Sequence, residues 1–315
     1  MGLDYHGLCF LKWAARPEGL GRVATLGRQN IHVRPEEIRL ICGSADDSHQ
    51  FGDFCEALLA SAFKASVVHS FDASDYEGAT FIRNMNAPLL DHEEYDTVVD
   101  FGTTEHIFNV AQALQNIVRL CSVGGQIIHV VPANNFNGHG FWQFSPELFF
   151  SLYSRENGFE DTQVLIAELH DHSKWYQVAR PAGGVRVEFK SRSATYVMAR
   201  TTKVRVCDEL VVQQSDYLSD WEQRASKTSS RDGLTPPATG LKLALAPLVR
   251  TIPFAARCFI NDLRNVNDLQ RNTSAFRSFA IREAIAHDRP RPSPDRSPIL
   301  AKGQQTAVAQ APGGA

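Results

Sequence analysis

From Arg22 to about Val206 the hydrophobic pattern switches repeatedly between two periods. Short runs rich in β-branched and aromatic residues, Arg22–Leu26, Ser66–Phe71, Tyr95–Phe101 and Gln126–Val131, predict strands. Between them, Gly52–Phe63 and Ile107–Leu120 carry apolar residues at helical spacing. In the second of these, Val110, Ala113, Leu114, Ile117, Val118 and Cys121 fall on one face, and Gly124-Gly125 is the expected stop. This alternation predicts βαβ units around a parallel sheet. Past Phe159 the pattern changes. Thr162–His170, Gly184–Lys190 and Ala194–Arg200 read as strands joined by short turns, which predicts antiparallel pairing at one edge.

Three regions follow from this pattern. Residues 1–206 form the α/β domain. Residues 207–287 read as a C-terminal helical extension entered through a polar linker, Asp220–Gly240. Residues 288–315 hold five prolines and no aromatic residue, too little apolar surface to offset ordering entropy, and are expected to be disordered. Within the extension, Leu241–Ile260 is apolar but interrupted by two prolines and two arginines. Short core or lid helices explain it better than a membrane-surface segment.

Composition narrows the function classes. With 43% hydrophobic and 21% charged residues among 315, the chain can bury a large core. The formal charge of −3 gives no global basic footprint, so nucleic acid is not an expected partner. Residues 270–315 are locally +4 and the remainder −7, a basic end on an acidic body. Six cysteines stand singly, which suits free thiols in a reducing compartment rather than a disulfide or zinc framework. The opening residues make a poor secretory signal, and no run of 18 uncharged apolar residues occurs. The chain therefore reads as cytoplasmic.

In an open parallel sheet, ligands sit beyond the carboxyl ends of the strands, so the residues following each strand carry the chemistry. The first strand ends in Gly27 and Arg28, where a bare backbone can approach an anionic group or simply make a tight turn. The second ends at Asp72, an acceptor for a ribose or a cap for its own turn. Asn84 and Asn86 follow; either reads an adenine edge or shapes the turn before Pro88. Asp100, Gly102, Glu105 and His106 bunch at the next strand end, with Thr103 or Thr104 as the expected helix cap. That would place His106 just inside a helix N-terminus, whose dipole favours a neutral imidazole. The loop after the fifth strand holds three asparagines, a glycine-flanked His139, and Phe136, Phe141 and Trp142, a composition suited to a pocket wall. Ser145-Pro146 is a helix start without further meaning. Glu168, His170 and His172 alternate on one strand face, the usual pattern of a solvated face, and no metal is expected.

Taken together, Leu26–Gln29, Asp100–His106 and Asn134–Phe149 make the chain resemble the class I S-adenosylmethionine-dependent methyltransferases, over roughly Val23 to Ala199. The resemblance implies a Rossmann-like, seven-stranded, mostly parallel sheet flanked by helices, with one antiparallel strand. It implies S-adenosylmethionine as cofactor, its methionine part near Gly27 and Arg28, its ribose at Asp72 and its adenine near Asn84. Asp100 and Gly102 complete the cofactor-facing set. The glycine-rich turn of the wider family is reduced here to Gly27, and the adenine-binding carboxylate is replaced by Asn84. Asp72 lies 45 positions beyond Gly27, which requires an extra helix between the first two strands.

Methyl transfer to a hydroxyl or amine needs positioning and a base. His106 or His139 is the expected base, oriented by Asp100 or Glu105, and the acceptor is a small molecule or sugar. Two other readings share the sheet: a catalytically degenerate interaction module, and a sugar-nucleotide transferase.

Overall fold

The computed structural model describes residues 2–43, 51–181, 187, 189–215 and 276–286. Helix α1 (Tyr5–Ala14) precedes β1 (Gly21–Leu26), then α2 (Pro35–Cys42) and α3 (Glu56–Phe63) lead to β2 (Ala65–Asp72). Two helices thus occupy the long gap between Gly27 and Asp72. Next come β3 (Phe81–Ile82), β4 (Tyr95–Asp100), α4 (Val110–Leu120), β5 (Cys121–Pro132) and α5 (Pro146–Leu152). The chain continues through β6 (Phe159–Glu168), β7 (Lys174–Val178), β8 (Thr195–Lys203), β9 (Phe276–Ala280) and α6 (Ile281–Ile285).

The nine strands among the described residues form one sheet in the order β3-β2-β1-β4-β5-β8-β6-β7-β9. The first five positions are parallel, with Leu26 in register with both Phe71 and Asp100. The fold is therefore the expected Rossmann-like α/β sheet, with two differences. Its described residues hold nine strands rather than seven, and the reversed strand is not at an edge. β8 runs antiparallel between β5 and β6, and β7 and β9 then extend the sheet by further antiparallel pairs.

Alternation along each strand divides the core in two. Ala24, Leu26, Val98, Ile127 and Val131 pack with α4 and α5, while Val23, Val99, Phe101, Ile128 and Val130 face α1, α2 and α3. Helix α4 buries Ala113, Leu114, Ile117 and Val118 as its periodicity demands. Its bounds differ from the expectation. Asn109, not a threonine, caps it by accepting from the Gln112 N–H, and it ends at Leu120 rather than at the glycine pair, which lies within β5. The stop comes from Lys203 of β8, whose buried Nζ donates to the carbonyls of Val118 and Cys121 at 2.9 and 2.7 Å.

The first helix was not expected. Asp4 caps it at the Gly7 N–H, and its buried His6 accepts from Trp175 Nε1 at 3.0 Å. Nor were β7 and β9. Where a helical extension was expected, Phe276–Ala280 is a strand that covers the outer edge of β7, and Ile281 behind it is fully buried. The expected Gly184–Lys190 strand lies largely outside the described residues, as do the linker, the Leu241–Ile260 segment and the terminal tail. No described helix is long and apolar enough to cross a membrane.

Candidate functional site

Strand order reverses direction of growth between β1 and β4, and the carboxyl ends at such a switch point are where open α/β sheets hold ligands. Around it the chain places four neighbouring strand ends in sequence: Asp72 on β2, the Gly27 turn after β1, the segment 102–106 after β4 and the 133–145 loop after β5.

At the β1 turn, Gly27 has φ +69°, and a Cβ there would come within 2.8 Å of Thr103 Oγ1. Only glycine fits this close approach of two strand ends. Its N–H bonds to Phe71 O at 2.7 Å, and Thr103 Oγ1 donates to Leu26 O at 2.6 Å. Arg28 faces protein rather than the switch point. Its guanidinium pairs with Glu56 at 2.7 Å, donates to Glu77 O and lies over the Phe54 ring. Gln29, the last residue of the same turn, ties it together from within. It is buried, its Nε2 donates to Leu26 O and to Thr103 Oγ1, and its Oε1 has no hydrogen-bond partner.

Asp72 is half-buried at the end of β2 and accepts the Ala73 N–H at 2.6 Å. Asn84 is exposed, and its Oδ1 is taken by the N–H and side-chain amide of Asn86. Gly102 is buried with φ +82°.

Asp100 has a different surrounding from the one expected. Its carboxylate is fully buried and turned inward, accepting from the Thr103 and Thr104 N–H groups, Thr104 Oγ1 and His129 Nδ1, the last at 2.9 Å. His129 Nε2 in turn meets the buried Tyr153 hydroxyl at 2.6 Å. Burial alone would raise the Asp100 carboxyl, but His129 and the threonine donors outweigh it and hold it below its ordinary value. Asp100 therefore orients neither candidate base. It locks β4 to β5 and shapes the turn that carries Glu105. His129 and Tyr153 gave no signal in the sequence, because their partners come from different elements.

Residues 104–106 form one 3-10 turn ahead of α4, so His106 lies outside the helix and its dipole. Glu105 is fully buried, and neither carboxylate oxygen has a hydrogen-bond partner. Burial and the charge of Asp100 push it up to about 8. His139 Nε2 lies 3.5 Å and His106 Nε2 3.8 Å from Glu105 Oε1, with the two imidazole rings edge-on at 5.0 Å. The histidine side chains are 35% and 47% exposed, so the pair opens to solvent on the side away from Glu105. Burial lowers both imidazoles from their ordinary value, His106 also through its neighbour His139.

The 133–145 loop is pinned across this turn. Phe141 and Trp142 N–H groups both donate to Glu105 O, at 2.7 and 3.2 Å, and Trp142 Nε1 donates to Ile107 O. Gly140 makes the approach possible: its φ is +77°, and a Cβ would lie 2.8 Å from Glu105 O. Phe108 and Phe141 stand exposed, ring against ring at 6.1 Å, and the Phe136 ring lies 5.7 Å from that of His139. The sequence placed both histidines at strand ends; their meeting over one buried carboxylate depends on the loop clamp.

Two other candidates are accounted for locally. Glu168 accepts from Ser191 Oγ, and His172 stacks on Tyr5 at 4.1 Å. The buried thiols of Cys9, Cys55 and Cys121 are pushed up to about 12 by desolvation, which leaves them un-ionised and poor nucleophiles. A cavity of about 680 Å³ opens at the opposite ends of the strands beside Lys12, Arg16, Lys64 and Arg277. It is far from this chemistry.

No protein-family model and no curated protein sequence matches the chain. Among solved structures it is similar to the N-methyltransferase NodS from Bradyrhizobium japonicum, at 11% identity over 64% of this chain and 94% of that one, with a TM-score of 0.37. The O-methyltransferase from a trans-AT PKS multienzyme of Brevibacillus brevis, solved with S-adenosyl-L-homocysteine, is 13% identical over 78% and 82% of the two chains, with a TM-score of 0.36. TehB from Haemophilus influenzae is 15% identical over 57% of each, with a TM-score of 0.32.

Proposed function

We propose that the chain is an S-adenosylmethionine-dependent methyltransferase acting on a hydroxyl or amine of a small molecule or sugar. The observation that supports this most is the pairing, at the switch point of the sheet, of a bare glycine turn with the solvent-facing Glu105–His106–His139 cluster. The residues on the β1–β2 side fit an adenosyl sulfonium. Asp72, half-buried at the end of β2, offers a carboxylate for vicinal hydroxyls, and the Gly27 turn beside it lets the two strand ends close together. When bound, that cofactor supplies an electrophilic methyl group on sulfur.

The protein's own part is to align and to deprotonate. The exposed Phe108 and Phe141 rings, each two positions along the chain from a cluster histidine, offer an apolar surface to an acceptor. His106 or His139, over the buried Glu105, would take the proton of an acceptor hydroxyl or amine held there. Held geometry lowers the barrier most.

Calorimetry with S-adenosylmethionine and its demethylated product tests the binding half of this reading. The product is expected to bind at micromolar level, and a chain that ignores both ligands would end the proposal. His106→Gln and His139→Gln should each lower turnover by about 100-fold while cofactor affinity stays within about twofold. Full turnover in both variants would remove the cluster from the reaction. One observation favours the non-catalytic reading: Arg28 and the Gly27 N–H are already spent on protein partners. Silence with every ligand is its expected result.

A further inference from the structure

Glu105, His106 and His139 are arranged in a way that packing alone does not explain. A fully buried carboxylate normally collects donors, yet both oxygens of Glu105 lack one, and His139 Nε2 is likewise buried without a partner. The imidazole nitrogens aim at the same oxygen from 3.5 and 3.8 Å, too far for hydrogen bonds. Each side chain offers one ligand atom, and the three atoms lie within 4.8 Å of one another. Ligands around a tetrahedral ion held at ~2.1 Å stand roughly 3.4 Å apart, so a small rotation of the half-exposed His106 closes the set.

We propose that these three side chains hold a divalent transition-metal ion of the zinc type, with one coordination position left open. Two imidazoles and one carboxylate without a thiolate suit zinc, cobalt or ferrous iron, and disfavour magnesium and calcium, which take oxygen donors. The donor set is pre-arranged by the fold. The backbone of Glu105 is fixed by the Phe141 and Trp142 N–H groups, and Gly140 lets the His139 loop close against it. Three protein ligands without a fourth is the pattern of a working site rather than a structural one. Use of the ion rests on the methyltransferase reading: an acceptor hydroxyl bound to it would give up its proton to solvent more readily. Binding of the ion does not rest on that reading.

The test uses the full chain, stripped with a chelator and titrated with zinc by calorimetry and with cobalt by visible absorption. One ion per chain and a ligand-field band from cobalt are expected. His106→Gln and His139→Gln should each weaken zinc by ~10-fold or more, and Glu105→Gln should abolish the band. Because His106 is on the surface, its variant keeps the fold, and thermal melting checks the other two. A wild-type chain that takes up no ion, or uptake unchanged in all three variants, would overturn the site. Binding of zinc here without binding of S-adenosylmethionine would uphold the metal site and end the methyltransferase proposal, so the two fail separately.

Discussion

Asp100 illustrates how one residue type supports two different expectations. An acidic residue at a strand end is a natural ligand contact, but here every donor around it belongs to the protein. Its ionised form is the stabilised one, since the folded-state pKa is depressed. The contribution is therefore present above the ordinary value of 3.8 and disappears as pH falls through the lower folded value. Asp100→Asn should cost about 3 kcal/mol at pH 7, because His129 and Thr104 lose a charged acceptor. That gap should narrow steadily below pH 3.8. Urea unfolding of both proteins from pH 7 down to pH 3 measures it; a difference that is flat with pH would mean the carboxylate is not the charged partner. The next carboxylate, five positions on, has the opposite surroundings. Which of the two would be satisfied was not legible, because the answer lies in Thr104, His129 and the loop around His139.

At the level of elements, α4 shows what periodicity can and cannot say. Its buried face was readable from Ala113 to Val118 because apolar spacing has no other use on a surface helix. Its end was not, since the deciding cation, Lys203, arrives from β8. Asn116 was equally opaque. It sits fully buried on the helix, accepts from the Leu89 N–H and donates to Met85 and Ala87 carbonyls, tying α4 to the segment that follows β3. Asn116→Ala leaves those three backbone groups without their partner and should cost about 2 kcal/mol. Hydrogen exchange at the Leu89 amide should then become markedly faster; unchanged protection there would show that the segment holds itself.

For the whole molecule, the unexpected feature is how the sheet ends. A parallel core with a reversed β8 would leave β7 as an open edge, and an uncovered edge invites pairing with other chains. Residues 276–280 close it in register from Lys174↔Ala280 to Val178↔Phe276, and Ile281 anchors the return. Truncation after Ala275 should lower the melting temperature by on the order of 5–10 °C and promote association. Scanning calorimetry with light scattering decides this, and an unaltered melt would make β9 an ornament on the sheet. The stretch was missed because Phe276–Ala280 is short, carries an arginine and a serine, and lies in a locally basic region with little other hydrophobic pattern.

What the amino-acid order determined by itself was local: the parallel strands β1, β2, β4 and β5, the face of α4, and the strand-end positions of Gly27, Asp72, Glu105 and His106. Those properties follow from side-chain period and from glycine's freedom, which act over a few residues. Tertiary structure alone decided that β8 lies inside the sheet, that Asp100 and Arg28 face protein, and that His139 comes to rest over Glu105. Each of these depends on contacts between distant segments, where burial chooses among partners that the neighbouring residues cannot rank.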